Sequence, residues 1–84
     1  MRLDKYLKNT RLIKRREVAK VLIDEGSILV NKKVVKPSYV VKLNDVVSLR
    51  LGERFIVIKI IEISENVNKE HSAKLYEIIE EKLK

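Results

Sequence analysis

The hydrophobic period of this chain changes at Gly26. Before it, Leu3 and Leu7, then Val18, Ala19, Leu22 and Ile23, recur at helical spacing, whereas from Ser27 onward the pattern is that of short strands. The spacing predicts a first helix from Met1 to about Lys8, broken by Asn9-Thr10, and a second from about Lys14 to Glu25. Gly26 suits the left-handed position after a helix, where a missing Cβ removes the steric cost. Ser27–Val30 then reads as a strand, Asn31-Lys32 as a two-residue turn and Lys33–Val35 as the return strand. Pro37-Ser38 ends that hairpin, and Tyr39–Leu43 leads to a second turn at Asn44-Asp45.

Val46–Leu51 and Arg54–Ile63 read as two further strands about Gly52-Glu53. On the longer one, Phe55, Val57 and Ile61 alternate with Ile56, Ile58 and Ile60, so both faces are mostly apolar and both need at least partial cover. Ser64–Asn68 is polar and reads as a linker. Glu70–Lys84 reads as an amphipathic helix with Leu75, Tyr76, Ile79 and Leu83 on one face. The expected fold class is α+β: two N-terminal helices, a small mostly antiparallel sheet and a C-terminal helix. Residues 1–63 are expected to form one domain, with 64–84 a linker and a helix packed upon it.

Charge is distributed unevenly over the 84 residues. Of the net charge of +7, the first 22 residues hold +6, residues 23–60 hold +3, and residues 61–84 hold −2. The N-terminal bases are Arg2, Lys5, Lys8, Arg11, Lys14, Arg15, Arg16 and Lys20, opposed only by Asp4 and Glu17. A helical surface of that kind attracts polyanions, and nucleic acid is the expected partner. Guanidinium forks bind phosphate oxygens in pairs and stack on exposed bases, so Arg2, Arg11, Arg15 and Arg16 are the leading contact candidates. Lys32 and Lys33 on the hairpin extend the candidate surface, with Lys36 beside them. Asp4 suits phosphate poorly by charge and is expected to orient Arg2 or Arg11, or to pair with Lys8 one turn on. Tyr6 and Tyr39 are expected in half-buried core positions and Asn31 in the turn. Replacing Arg2 or Arg16 by Ala should change stability by less than about 0.5 kcal/mol while weakening RNA binding.

Other chemistries find little support. The chain has no cysteine, which excludes disulfides and thiolate metal ligands and suits a reducing compartment. His71 is the only histidine and lacks companions at ligand spacing, so no metal and no cofactor are expected. With two glycines there is no phosphate-cradling glycine loop, and no nucleophile setting occurs, so the chain is not expected to be an enzyme. The charged N-terminus does not read as a signal peptide, and no apolar run is long enough to span a bilayer, so a cytoplasmic location is expected.

Specific residues carry a resemblance. Arg2-Leu3-Asp4-Lys5-Tyr6-Leu7, the run Arg11 to Lys20, Ile23, Gly26, Val30-Asn31, Val35, Pro37-Ser38 and Asp45 resemble the RNA-binding domain named for ribosomal small-subunit protein four, the αL motif, over residues 1 to about 50. Within it, the Arg11–Arg16 run, the length and Tyr76-Glu77-Ile78-Ile79 resemble the stand-alone RqcP family of bacterial ribosome-associated quality control. Arg15 stands where a serine is common in the wider domain, Lys32 replaces a turn glycine, and Asn44 replaces a glycine before Asp45.

The resemblance implies a non-catalytic, ribosome-associated factor. Such a factor binds rRNA of large ribosomal subunits obstructed by peptidyl-tRNA, and assists a tailing factor that extends the stalled chain without a template. It is expected to be a monomer. The alternatives are a heat-shock-type factor that rescues large subunits and, with less support, a DNA-binding regulator, since two short basic helices can mimic a helix-turn-helix. The acidic C-terminal segment favours the quality-control reading over the heat-shock one, because heat-shock look-alikes tend to carry a longer basic tail. The β-rich second half argues against the DNA reading. The domain also accompanies RNA-modifying enzymes, but 84 residues leave no room for their catalytic part.

Overall fold

In the computed structural model, which describes residues 1–83, helix α1 spans Leu3–Asn9 and helix α2 spans Arg16–Asp24. Neither begins with a side-chain cap. The first N–H groups of α1 find acceptors elsewhere: Leu3 donates to the Tyr39 carbonyl at 2.7 Å and Asp4 to the Pro37 carbonyl at 3.2 Å. These bonds satisfy donors that a helix start leaves open and tie α1 to the segment after the hairpin. At the other end the Thr10 hydroxyl donates back to the Leu7 carbonyl at 2.6 Å. Arg11 then turns the chain with φ +63°, a left-handed conformation that costs a side-chain-bearing residue about 1–2 kcal/mol. α2 closes as its sequence predicts, with Gly26 at φ +81° and Ser27 N–H on the Leu22 carbonyl at 2.9 Å.

Five strands follow: β1 (Ile28–Val30), β2 (Lys33–Val34), β3 (Val46–Leu51), β4 (Arg54–Ile60) and β5 (Tyr76–Leu83). They form one antiparallel sheet in the order β2-β1-β3-β4-β5. Asn31 and Lys32 both have positive φ, +51° and +67°, as a type I′ hairpin turn requires, so Lys32 adopts the conformation in which glycine is preferred. Asn44 at φ +74° likewise keeps the left-handed turn that a glycine would make at lower cost.

Register sorts the side chains. Ile56 pairs with Leu49, and Ile58 with Val47, which places all four on the face turned toward the helices. They pack with Leu3, Tyr6 and Leu7 of α1, Ala19 and Ile23 of α2, Ile28, Ile60 and Leu75 in one fully buried cluster. Burying each large aliphatic side chain contributes about 1.5–3 kcal/mol. The opposite face, with Phe55, Val57 and Lys59, is half-exposed. Val18 departs from its expected place: it is 46% exposed, and the buried stripe of α2 is Ala19 and Ile23 with Leu22 partly covered.

The α+β architecture matches the expectation except at its end. The predicted helix over Glu70–Lys84 is corrected: a short helix α3 occupies Lys69–Ser72, and Tyr76–Leu83 is strand β5 (Lys84 lies outside the described residues). The physical reason lies in β4, whose second edge needs partners for its N–H and C=O groups. β5 supplies them along the whole of Arg54–Ile60, with a bulge at Ile79 between the pairs Val57–Glu80 and Ile58–Ile78. The helical stripe read from the sequence does not form. Leu75 is buried, but Ile79 and Leu83 are 54% and 74% exposed. Asn68 marks the start of α3, its side chain accepting from His71 N–H at 2.8 Å. Strand β4 also stops at Ile60, three residues short of the predicted end.

Candidate nucleic-acid interface

Most cations of the N-terminal helices and the loop between them, joined by Lys69 and Arg54, fall into three groups. The first is organised by Asp4, which is fully buried. Its Oδ2 accepts from Arg2 Nη2 at 3.1 Å, its Oδ1 pairs with Arg16 Nη2 at 3.2 Å, and Oδ1 also accepts from Lys5 N–H at 2.7 Å. One carboxylate thus anchors two guanidinium groups whose side chains remain 48% and 38% exposed. A buried carboxylate is costly unless paired, so the pair is held firmly, while the exposed parts of both guanidinium side chains remain able to meet an anion. Arg16 Nε is buried without a partner, a further cost that this arrangement carries. Asp4 does orient Arg2, as expected from the sequence; its second partner is Arg16, not Arg11 or Lys8.

The second group lines a cleft of about 520 Å³. Lys8, Arg11 and Lys14 meet there with Lys69, at the start of α3. Arg11 lines this wall from a left-handed backbone, and strain of that kind concentrates at functional sites. Lys69 was missed by the sequence reading, since its segment is acidic overall and distant in the chain. The linker is strapped to α1 beside it: Asn9 Nδ2 donates to the Ser64 carbonyl at 3.1 Å, and Lys5 Nζ pairs with Glu65, holding that carboxyl below its ordinary range. Lys5 is therefore engaged within the chain.

The third group, Lys14, Arg15 and Arg54, borders a second cleft of about 420 Å³. Arg54 also belongs to no sequence motif, and it pairs with Glu81 at 2.8 Å. Lys20, Lys32 and Lys33 are exposed but line neither cleft.

Around this surface the polar groups serve the fold. Tyr6 is fully buried, and its hydroxyl donates to the Leu75 carbonyl at 2.7 Å; burial pushes its pKa well up. Asp45 accepts from the Tyr39 hydroxyl at 2.8 Å, Asn31 Nδ2 at 3.1 Å and Lys42 N–H at 2.9 Å, while Asn31 Oδ1 accepts from Val46 N–H at 3.0 Å. The bond to Asp45 raises the Tyr39 pKa. Tyr39 thus has a hydrogen-bonding role, and Asn31 links two turns. Glu62 pairs with the Ser64 hydroxyl and His71, which lower its pKa in that order. Among the described residues no group of three His, Asp or Glu is placed to hold a metal, and no helix is long and apolar enough to cross a membrane.

Comparison with known proteins now bears on these clusters. The S4 domain model matches residues 1–47, which contain both helices, the Asp4 pair and the Asn31–Asp45 turns. The chain is 48% identical over 81 residues to the RQC P-site tRNA stabilizing factor of Streptococcus pneumoniae, covering 96% of this chain and 92% of that protein. This chain belongs to the S4 domain family, among the RQC P-site tRNA stabilizing factors. The chain is also 40% identical over 63 residues to Heat shock protein 15 of Escherichia coli, covering 73% of this chain and 47% of that one. The trimeric structure of Vibrio cholerae Heat Shock Protein 15 superposes with a TM-score of 0.89 at 30% identity, over 93% of this chain and 80% of that one.

Proposed function

We propose that this protein is a non-catalytic RNA-binding factor of ribosome-associated quality control that stabilises P-site tRNA on an obstructed large ribosomal subunit. The observation that carries the reading is the pair of guanidinium groups held on buried Asp4, beside the Lys8–Arg11–Lys14–Lys69 cleft. Prepositioned arginines lose little freedom on meeting a phosphate, so they suit the backbone of a folded RNA, recognised by shape and charge. The likeness to P-site tRNA stabilizing factors along nearly the whole chain supports tRNA as that RNA, and large-subunit rRNA is the second RNA of the proposed reading. In this role the factor acts as a monomer in the cytoplasm, contacts peptidyl-tRNA, and lets a partner tailing factor extend the stalled chain. Arg2, Lys8, Arg11, Lys14, Arg15 and Arg16 provide the contacts, with Lys20, Lys32 and Lys33 at the periphery and Lys5 contributing least, because Glu65 holds it.

The heat-shock rescue reading is less favoured, since the match to Heat shock protein 15 of E. coli spans under half of that protein. Sedimentation separates the two. Purified large subunits carrying peptidyl-tRNA should retain the protein, vacant large subunits should retain it less, and an Arg2→Ala/Arg16→Ala variant, verified as folded by circular dichroism, should stay at the top of the gradient. Equal retention on vacant and obstructed subunits would favour the heat-shock reading. No retention on either would remove the ribosomal function.

A further inference from the structure

The second cleft has a chemistry that the phosphate contacts do not explain. Its floor is apolar, formed by Leu12 of the interhelix loop, Val18 and Leu22 of α2, and Leu51 at the end of β3. Its rim carries Lys14, Arg15 and Arg54, the last paired with Glu81, and no acidic residue lines the cleft itself. Val18, 46% exposed, adds to the apolar floor that Leu12, Leu22 and Leu51 form, so the apolar groups make a patch rather than a single exposed side chain. An apolar floor beside Lys14 and Arg15, cations unpaired among the described residues, fits a ligand that is flat and weakly polar at one end and anionic at the other. Lys14 lines both this cleft and the cationic cleft, so the two adjoin at that side chain.

We propose that this cleft receives one unstacked base of the RNA that the helices grip. The base lies on Leu12, Val18, Leu22 and Leu51, and its phosphate meets Lys14 or Arg15. Guanidinium planes are able to stack on such a base, and the shallow, aliphatic floor makes the contact tolerant of base identity. The proposal rests on the RNA-binding function stated above and adds a preference for an unpaired nucleotide over a continuous duplex.

The test uses the full chain and two RNA hairpins, one fully paired and one with a single bulged 2-aminopurine. Val18→Ser is compared with Val21→Ser, a 59% exposed position on the same helix that does not line the cleft. The wild-type protein should bind the bulged hairpin about fivefold more tightly than the paired one, as burial of one base face against aliphatic groups allows. Its 2-aminopurine fluorescence should change on binding. Val18→Ser should lose both the preference and the fluorescence change while still binding paired RNA, and Val21→Ser should keep both. A wild-type protein that binds paired and bulged RNA equally, or two variants that behave alike, overturns the cleft and leaves the RNA-binding function standing. A wild-type protein that binds neither hairpin overturns both.

Discussion

At the scale of single residues, the largest departure from sequence-based expectation concerns Arg16. Read as an exposed cation, it should be replaceable at little cost. The structure instead seats it on Asp4, a fully buried carboxylate twelve residues away that has only Arg2 as its other cationic partner. Arg16→Ala should therefore lower stability by about 1–2 kcal/mol, through loss of a charge-assisted contact to a buried acid. Arg15→Ala, at an exposed position, should stay within about 0.5 kcal/mol. Urea denaturation of both variants at neutral pH checks the difference; equal midpoints would mean that Asp4 does not depend on Arg16. The pairing was invisible in the sequence because it joins two helices. A local rule finds only neighbours three or four residues apart, and hence proposed Lys8.

At the scale of elements, turns proved more legible than the last strand. Gly26, Asn31 and Asn44 each occupy the left-handed backbone that their side chains tolerate, so the helix stop and both turns were readable from composition. What the turns conceal is their coupling through Asp45, which joins Asn31 to Tyr39. That coupling has a pH signature. Tyr39 donates from its neutral phenol, and its folded-state pKa lies above the ordinary 10.0. The stabilisation is thus fully present below about pH 10 and is lost as the pH rises through the folded value. Tyr39→Phe should be less stable than wild type at pH 8 and should lose less stability between about pH 9.5 and 11.5; parallel curves would exclude the bond. β5 was misread because Leu75, Tyr76, Ile79 and Leu83 fall at helical spacing. The demand of β4 for a second partner outweighs that periodicity, and the bulge at Ile79 disturbs the alternation that would have signalled a strand.

At the scale of the whole molecule, the charge imbalance read from the sequence becomes a division of labour. The first 22 residues carry +6 and supply most of the clustered cations, while Glu81 of β5 is engaged with Arg54 of β4. The basic helices were legible as a surface, but its grouping was not, since Lys69 and Arg54 come from remote segments that only the fold brings alongside. The S4 domain match ends at residue 47, yet β3, β4 and Leu75 complete the core on which the helices rest. The most direct measurement of the central claim is the affinity of the whole protein for labelled tRNA across a salt series, beside an Arg2→Ala/Arg16→Ala variant whose folded state is verified by circular dichroism, since it leaves Asp4 without a cationic partner. Binding of the wild type should fall steeply with salt, and the logarithmic slope of the variant should be shallower by about 2, one for each phosphate that a clamped arginine neutralises. A slope unchanged by the double substitution, or a wild-type affinity indifferent to salt, would contradict the assignment of this surface to RNA.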